Sequence, residues 1–233
     1  MAKWLNRVAI AAPRNGTTTH TVNPASGTVV NGTLFTPTAG RLLVVACEGA
    51  VTSTTPSGWT LPTGGSAVNF TGLYVWWRTA AGSDTFTTTH NTANYPAVFD
   101  IYEYPAGTTF SGAASSTGVA SGGAGPSVGS LTGTNLIMGT VGNEAFSTSS
   151  AGTVGWASGV EAIDTLVVQA TTSGYLYSLT YLEDSVLTSS SIAATISGAS
   201  NLQATYERLM FAVKVSAVTA IPPILVMQTR RPY

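Results

Sequence analysis

Residues of the types that perform catalysis are scarce in this chain of 233 residues. It contains two histidines, His20 and His90, and one cysteine, Cys47. Serine is abundant, but no G-x-S-x-G motif is present, and a serine nucleophile also needs a positioned base. Both histidines lie in threonine-rich strand patterns, which predicts solvated surface side chains. We therefore predict that the protein is not an enzyme.

Motifs for metals and cofactors are also missing from the sequence. Two histidines and one cysteine show none of the spacings of a zinc site, and neither a P-loop nor a G-x-G-x-x-G fingerprint occurs. Asp100 and Glu103 are three residues apart on a predicted strand. They should therefore point to opposite faces, and they cannot share a site as a glycosidase pair does. We predict no cofactor and no bound metal.

One strand combines aromatic residues with an arginine, in the run L-Y-V-W-W-R of residues 73–78. Alternation places odd-numbered side chains on one face and even-numbered side chains on the other, and one face must be core. The second face is a further buried layer, a subunit interface or a sugar-binding surface, since aromatic residues and arginine suit all three. The candidate surface aromatic patch is Tyr74, Trp76 and Arg78.

The composition favours a folded subunit with a weakly charged surface. Hydrophobic residues make up 44% of the chain but charged residues only 8%, against about 25% in a typical soluble domain. Serine and threonine fill the difference, at roughly a quarter of the residues. Intrinsic disorder is excluded, because it needs low hydrophobicity and high net charge. Few ions must be desolvated when such a surface is covered, which suits a subunit of a large assembly.

The charges are unevenly distributed along the chain. Residues 1–78 carry five basic residues and one carboxylate, residues 84–207 carry nine carboxylates and no basic residue, and residues 208–233 carry four basic residues. This pattern either steers subunits together or reflects chance clustering. The basic residues are too scattered for a nucleic-acid partner. No apolar run reaches the length of a membrane helix, and Asn6 and Arg7 interrupt any signal-peptide core, so we expect synthesis in a cytoplasm and no membrane partner.

Alternating and β-branched runs recur throughout, whereas amphipathic helical patterns of useful length do not. Asn31-Gly32 predicts a two-residue hairpin turn, and Cys47 is predicted to be buried. The predicted strands cover residues 5–11, 19–23, 28–30 with 33–35, 42–48, 73–79, 85–90, 97–104, 136–141, 166–170, 175–182, 191–196 and 204–216.

The order of these strands predicts an all-β fold, a large two-sheet antiparallel β-sandwich of the jelly-roll kind over residues 1–218. Two halves, residues 1–106 and 131–218, share an outline. L-L-V-V at 42–45 and Gly58-Trp59 are echoed by L-I-M at 136–138 and Gly155-Trp156, which predicts a diverged internal duplication. The Gly/Ser-rich residues 107–130 are either an interdomain linker or a crossing connection within one sandwich.

The C-terminal residues 219–233 change in character. Pro222-Pro223 cannot continue the interior of a sheet and favours an extended path. The segment is either an arm that binds a neighbouring chain or a last edge strand on its own domain. The candidate subunit contacts are Ile224, Leu225, Val226, Met227, Arg230, Arg231 and Tyr233.

Residues 40–105 resemble a known family in four linked segments: G-R-L-L-V-V-A at 40–46, P-S-G-W-T-L at 56–61, the strand 73–79 followed by D-T-F-T at 84–87, and A-V-F-D-I-Y-E-Y at 97–104. They look like a β-sandwich of virion structural proteins, the minor tail and tail-associated proteins of phages that infect actinobacteria. A fainter echo covers residues 136–215. The resemblance implies a structural role and brings no catalytic residues. The Gly/Ser-rich stretch and the R-R-P-Y ending depart from the common form.

We therefore predict a non-enzymatic phage virion protein located in the particle, a minor tail or tail-tip subunit that contacts other virion proteins and copies of itself. The alternatives are a capsid decoration protein and a carbohydrate-binding module that recognises a host-surface glycan.

Overall fold

The computed structural model describes residues 4–12, 18–49, 54–68, 72–89, 97–123, 125–129, 131–133, 135–145, 153–156, 161–169, 174–184, 194–197 and 205–215, with only the backbone covered between residues 143 and 206. These residues contain fifteen strands and no helix. The strands are β1 (Asn6–Ala12), β2 (Thr19–Val22), β3 (Thr28–Gly32), β4 (Leu42–Gly49), β5 (Ser66–Val68), β6 (Gly72–Thr79), β7 (Phe86–Thr89), β8 (Ala97–Glu103), β9 (Thr109–Ala120), β10 (Asn135–Ala145), β11 (Thr153–Trp156), β12 (Glu161–Gln169), β13 (Gly174–Asp184), β14 (Ala194–Ser197) and β15 (Thr205–Lys214).

Most of the strands belong to two antiparallel sheets. The first sheet has the order β3-β1-β8-β4-β6-β5, and the second has the order β12-β13-β10-β15-β9. The pairs β2-β7 and β11-β14 form two small sheets. The prediction of an all-β, antiparallel fold is confirmed.

The two large sheets face each other across a shared apolar core. Alternate residues of β4, β6 and β8, among them Val44, Val75 and Tyr102, pack in one cluster with Leu136 of β10 and Phe211 of β15. The alternation of period two therefore assigns one face of each strand to this inner layer.

The other face of the first sheet is buried as well. Val45, Trp76 and Ile101 point away from the second sheet and pack with Val22 of β2 and Phe86 of β7. Because both faces are covered, β4 has no exposed position, and its sequence L-L-V-V-A-C-E-G is almost continuously apolar. Such runs are typical of strands covered on both sides.

Residues 107–130 contain strand β9, twelve residues long, which pairs with β15 at the edge of the second sheet. The two interpretations of this stretch, an interdomain linker and a crossing connection, are therefore both wrong for residues 109–120, which form a strand of the second sheet. The residues after β9 return over the outer face of the second sheet, where Val128 and Leu131 pack on Ile137 and Met210. Glycine, serine and alanine gave the segment a linker composition, but pairing with β15 overrides that weak propensity.

The two large sheets share one strand order. Apart from the extra strand β3, the first sheet reads β1-β8-β4-β6-β5 and the second reads β9-β15-β10-β13-β12. When the five named strands of each sheet are counted in chain order, the first pairs with the fifth and the fifth with the second. The second then pairs with the fourth, and the fourth with the third. All of these pairs are antiparallel.

The predicted hairpin turn at Asn31-Gly32 is wrong. Both residues belong to β3, which pairs with β1 rather than with the residues that follow it. Gly32 has a φ of 84°, and the N–H of Thr33 donates to the carbonyl of Arg7 at 3.0 Å. Gly32 therefore has the positive φ that a hairpin turn would need, but here this conformation lets the following residue hydrogen-bond to β1.

Candidate assembly surface

The predicted aromatic surface patch on β6 is buried, so that prediction is wrong for Tyr74 and Trp76. Tyr74 is 3% exposed and Trp76 is 0% exposed. Their rings stack at 5.0 Å between centroids, and the ring of Phe86 lies 4.9 Å from that of Trp76. Arg78 is half-buried. The second face of β6 is a further buried layer, as one of the three interpretations had it.

Arg78 belongs to a packing unit that links the motif segments of residues 56–61, 73–79 and 84–87. Its Nε lies 3.1 Å from Oδ1 of Asp84, and its guanidinium lies 5.7 Å from the ring centroid of Trp59. The indole N–H of Trp59 donates to the carbonyl of Thr85 at 3.3 Å. The second carboxylate oxygen of Asp84 accepts from two backbone N–H groups of the preceding turn, at 2.8 and 3.0 Å. These side chains fix the ends of β6 and β7 to each other.

The two carboxylates of β8 lie on opposite faces of the first sheet, as predicted, and each binds a different cation. Asp100 pairs with Arg7 at 2.6 Å and also accepts from the hydroxyl of Tyr102 at 3.0 Å. Glu103 pairs with Arg41 at 3.1 Å. Burial alone would lower the pKa of the Arg7 guanidinium, but the neighbouring Tyr102 and Asp100 outweigh it and raise that pKa above its ordinary value.

These ion pairs explain part of the uneven charge distribution. Three basic residues of the N-terminal segment pair with three carboxylates of the acidic segment within one chain: Arg7 with Asp100, Arg41 with Glu103, and Arg78 with Asp84. The charges of these six residues therefore pair within the chain, which leaves them little part in steering an association with other chains.

The predicted surface position of His20 is wrong, because its side chain is 5% exposed and its ring centroid lies 6.4 Å from that of Phe99. His90 lies outside the described residues. Cys47 is buried, as predicted, and burial, with a smaller effect of Glu48, raises the pKa of its thiol well above the ordinary range. Within the described part of the chain, no three His, Cys, Asp or Glu side chains are grouped so as to hold a metal ion.

Large apolar side chains that remain exposed gather at one edge of the first sheet. Leu5, Val29, Val30 and Leu34 are 39–42% exposed, and all five residues of β3 are exposed. Leu5 and Leu34 also line a cavity of about 330 Å³ beside the end of β3. We call Leu5, Thr28–Gly32 and Leu34 the β3 edge. It is the largest grouping of exposed apolar side chains that the described residues provide, and only Val68, at the opposite edge of the sheet, is comparably exposed.

Sequence reasoning did not single out the β3 edge, although a signal for it exists. Residues 15–40 contain no Asp, Glu, Lys or Arg, and a polar but uncharged stretch around Val29-Val30 differs from an ordinary solvated edge, which usually carries charges.

The candidate contacts in the C-terminal segment, Ile224, Leu225, Val226, Met227, Arg230, Arg231 and Tyr233, lie outside the described residues. Among the residues that are described, no helix is long and apolar enough to cross a membrane.

No family model, no curated protein and no solved structure matches this chain.

Proposed function

We propose that this chain is a non-enzymatic structural protein of a phage virion, a minor tail or tail-tip subunit that acts through contacts with other virion proteins and with copies of itself. The observation that carries the proposal is the β3 edge, where exposed leucine and valine side chains lie in a charge-free stretch. Exposed apolar groups that lie together mark interaction sites, and a contact with another virion protein is the interaction that this proposal assigns to them.

Three buried carboxylates also fit a structural role, because their contacts hold the chain together. Asp84, Asp100 and Glu103 are each held by an arginine and by further hydrogen bonds. The motif that carries the family resemblance, with Trp59 and Arg78 at its centre, forms a packing unit, which fits a motif needed for folding. The burial of Tyr74 and Trp76 removes the surface on which the carbohydrate-binding alternative depended.

For the architecture we propose one sandwich built from two duplicated halves. Two pairs of similar segments fall on strands with equivalent places in the shared order: residues 42–45 and 136–138 on β4 and β10, and the dipeptide Leu-Tyr at 73–74 and 176–177 on β6 and β13. The third pair does not, because Gly58-Trp59 precedes β5 and Gly155-Trp156 lies on β11. Strand β9 takes the place of β1, so the second half would begin at Thr109 instead of residue 131. We propose that this sandwich is of the jelly-roll kind.

We also propose that residues 219–233 form an arm that binds a neighbouring chain, with Ile224–Met227 in an apolar groove and Arg230 and Arg231 at carboxylates. Each large apolar side chain that becomes fully buried would contribute about 1.5–3 kcal/mol.

The test is the composition of purified particles. We expect mass spectrometry to find the full chain in virions banded by density, and antibody-gold labelling to place it on the tail. Label on the capsid would favour the decoration protein, and absence of the chain from washed particles would overturn the proposal.

A chain that lacks residues 219–233 should fold, as judged by its thermal unfolding, yet fail to enter particles. Normal incorporation of that chain would refute the arm.

A further inference from the structure

We propose that the β3 edge is a self-association surface, where β3 of one copy pairs antiparallel with β3 of a second copy. This inference depends on the proposed function only for the use of the contact in a particle. The pairing itself follows from the strand.

Among the strands that the structure describes, β3 lies at the outer limit of the first sheet, with β1 on its inner side. Outermost strands tend to pair with other chains unless charges, proline or coverage prevents it. Here neither a charged residue nor a proline occurs between Ser26 and Thr36, and all five residues of the strand are exposed. The apolar contribution comes from Val29 and Val30, with Leu5 and Leu34 beside them.

The charge pattern points to a second copy as the occupant. When identical strands pair around a two-fold axis, each charge faces the same charge, and like charges directly opposite are destabilising. Strand β3 has no charge to repel its copy, and valines brought together across the axis form favourable β-branched pairs. An acidic or basic strand would find no ion partner within residues 15–40, which are uncharged, and the nearby Arg7 already pairs with the buried Asp100. The charges of such a strand would be desolvated without compensation.

The same geometry limits the strength of the contact. Strand β3 has five residues, a length of roughly 17 Å, and its pairing with β1 is irregular at Val30, where Ala9 pairs with Asn31 and Ile10 with Val29. Short strands and bulges restrict edge pairing, and a contact of this size buries less than the ~1,200 Å² of stable complexes. We therefore expect weak association in dilute solution that is reinforced when many copies are held together.

Disulfide trapping tests the contact directly, because the single native cysteine, Cys47, is buried. The variants are Val29→Cys and Val30→Cys. The matched control is Val68→Cys, which has similar exposure at the opposite edge of the same sheet (37% against 39–40%). Oxidised glutathione accepts the electrons of the two thiols as the intermolecular bond forms. We expect at least one β3 variant to give tenfold more disulfide-linked dimer than Val68→Cys. Equal yields would overturn the proposal.

A charge substitution gives the second, independent measurement. Val30→Lys places like charges near each other across the axis. It should lower the self-association constant, measured by concentration-dependent sedimentation, at least tenfold relative to the wild-type chain. Val68→Lys should leave it unchanged, and thermal unfolding verifies that both variants fold. An equal effect of both lysines, or no effect of either, would refute pairing through β3. If dimers are trapped but the chain is absent from virions, the proposed function is overturned and the pairing through β3 stands. If the chain is present in virions but no dimers are trapped, the pairing through β3 is overturned and the proposed function stands.

Discussion

Strands β6 and β3 belong to the same sheet and are both rich in residues that favour strands, yet their environments are opposite. Strand β6 lies beside β4 and is covered on both faces, so Tyr74, Val75 and Trp76 are buried. Strand β3 is the outermost strand, and Val29 and Val30 are about 40% exposed. The conspicuous aromatic residues are therefore core, and the inconspicuous valines form the surface that a partner can reach.

The difference shows that position in the sheet, and not apolar content, decides exposure. A strand at the centre of a sheet meets neighbours on both edges, and here cover on both faces as well. An outermost strand keeps one edge open whatever its side chains are. Four substitutions, in three experiments, test this contrast.

The largest effect is expected for Trp76→Ala. The indole is fully buried between Tyr74 and Phe86, and removing a buried tryptophan side chain leaves a cavity that costs about 3–5 kcal/mol. Urea unfolding followed by fluorescence measures the loss. A loss below about 1 kcal/mol would mean that the second face of β6 is not a packed layer, and the contrast with β3 would fail.

A matched pair of smaller changes compares the two strands directly. Val75→Thr replaces a buried methyl group with a hydroxyl and should lower the free energy of unfolding by about 1–3 kcal/mol. Val30→Thr makes the same change at an exposed position and should stay within about 0.5 kcal/mol of wild type. Both values come from the same denaturant titration, and equal effects would contradict the assigned positions of the strands.

A small effect of the opposite sign is expected for Tyr104→Phe, which probes a polar group in the core between the two large sheets. The Tyr104 hydroxyl is buried and finds no hydrogen-bond partner among the described residues, so its removal should stabilise the fold by up to about 1 kcal/mol. Burial and, to a smaller extent, Asp100 raise the pKa of this hydroxyl above its ordinary value, against an opposing effect of Arg7.

The raised pKa gives this prediction a pH dependence. In the unfolded chain Tyr104 loses its proton near pH 10, whereas the folded chain retains it, so the unfolded state binds fewer protons above that pH. Stability should therefore fall as the pH rises past about 10. Tyr104→Phe should reduce the slope of that fall, and the buried Cys47 should maintain a remaining slope of the same sign. An unchanged slope would show that Tyr104 is accessible to solvent.

Much of this fold could be predicted from the sequence, because strands such as β4 and β8 are long and strongly apolar. Alternation along residues 73–78 also separated the two faces of β6 correctly, with Val75 in one layer and Trp76 in the other. It could not show that both layers are covered, because the cover for Trp76 comes from a separate small sheet, in which β7 pairs with the sequence-distant strand β2. Strand β9 was missed because its glycine, serine and alanine residues carry almost no strand propensity and its pairing with β15 is long-range.

The pairing of β1 with β8 has a consequence for how the protein is made. Asn6 and Glu103, which hydrogen-bond to each other, are 97 residues apart, and translation at 5–20 residues per second takes roughly 5–20 s to cover that distance. During this interval the L-L-V-V run of β4 lacks β8, one of the two strands that lie beside it, because β8 has not been synthesised. Contacts of such long range also slow folding. Nascent chains shorter than about 100 residues should therefore be the species that chaperones bind and that aggregates.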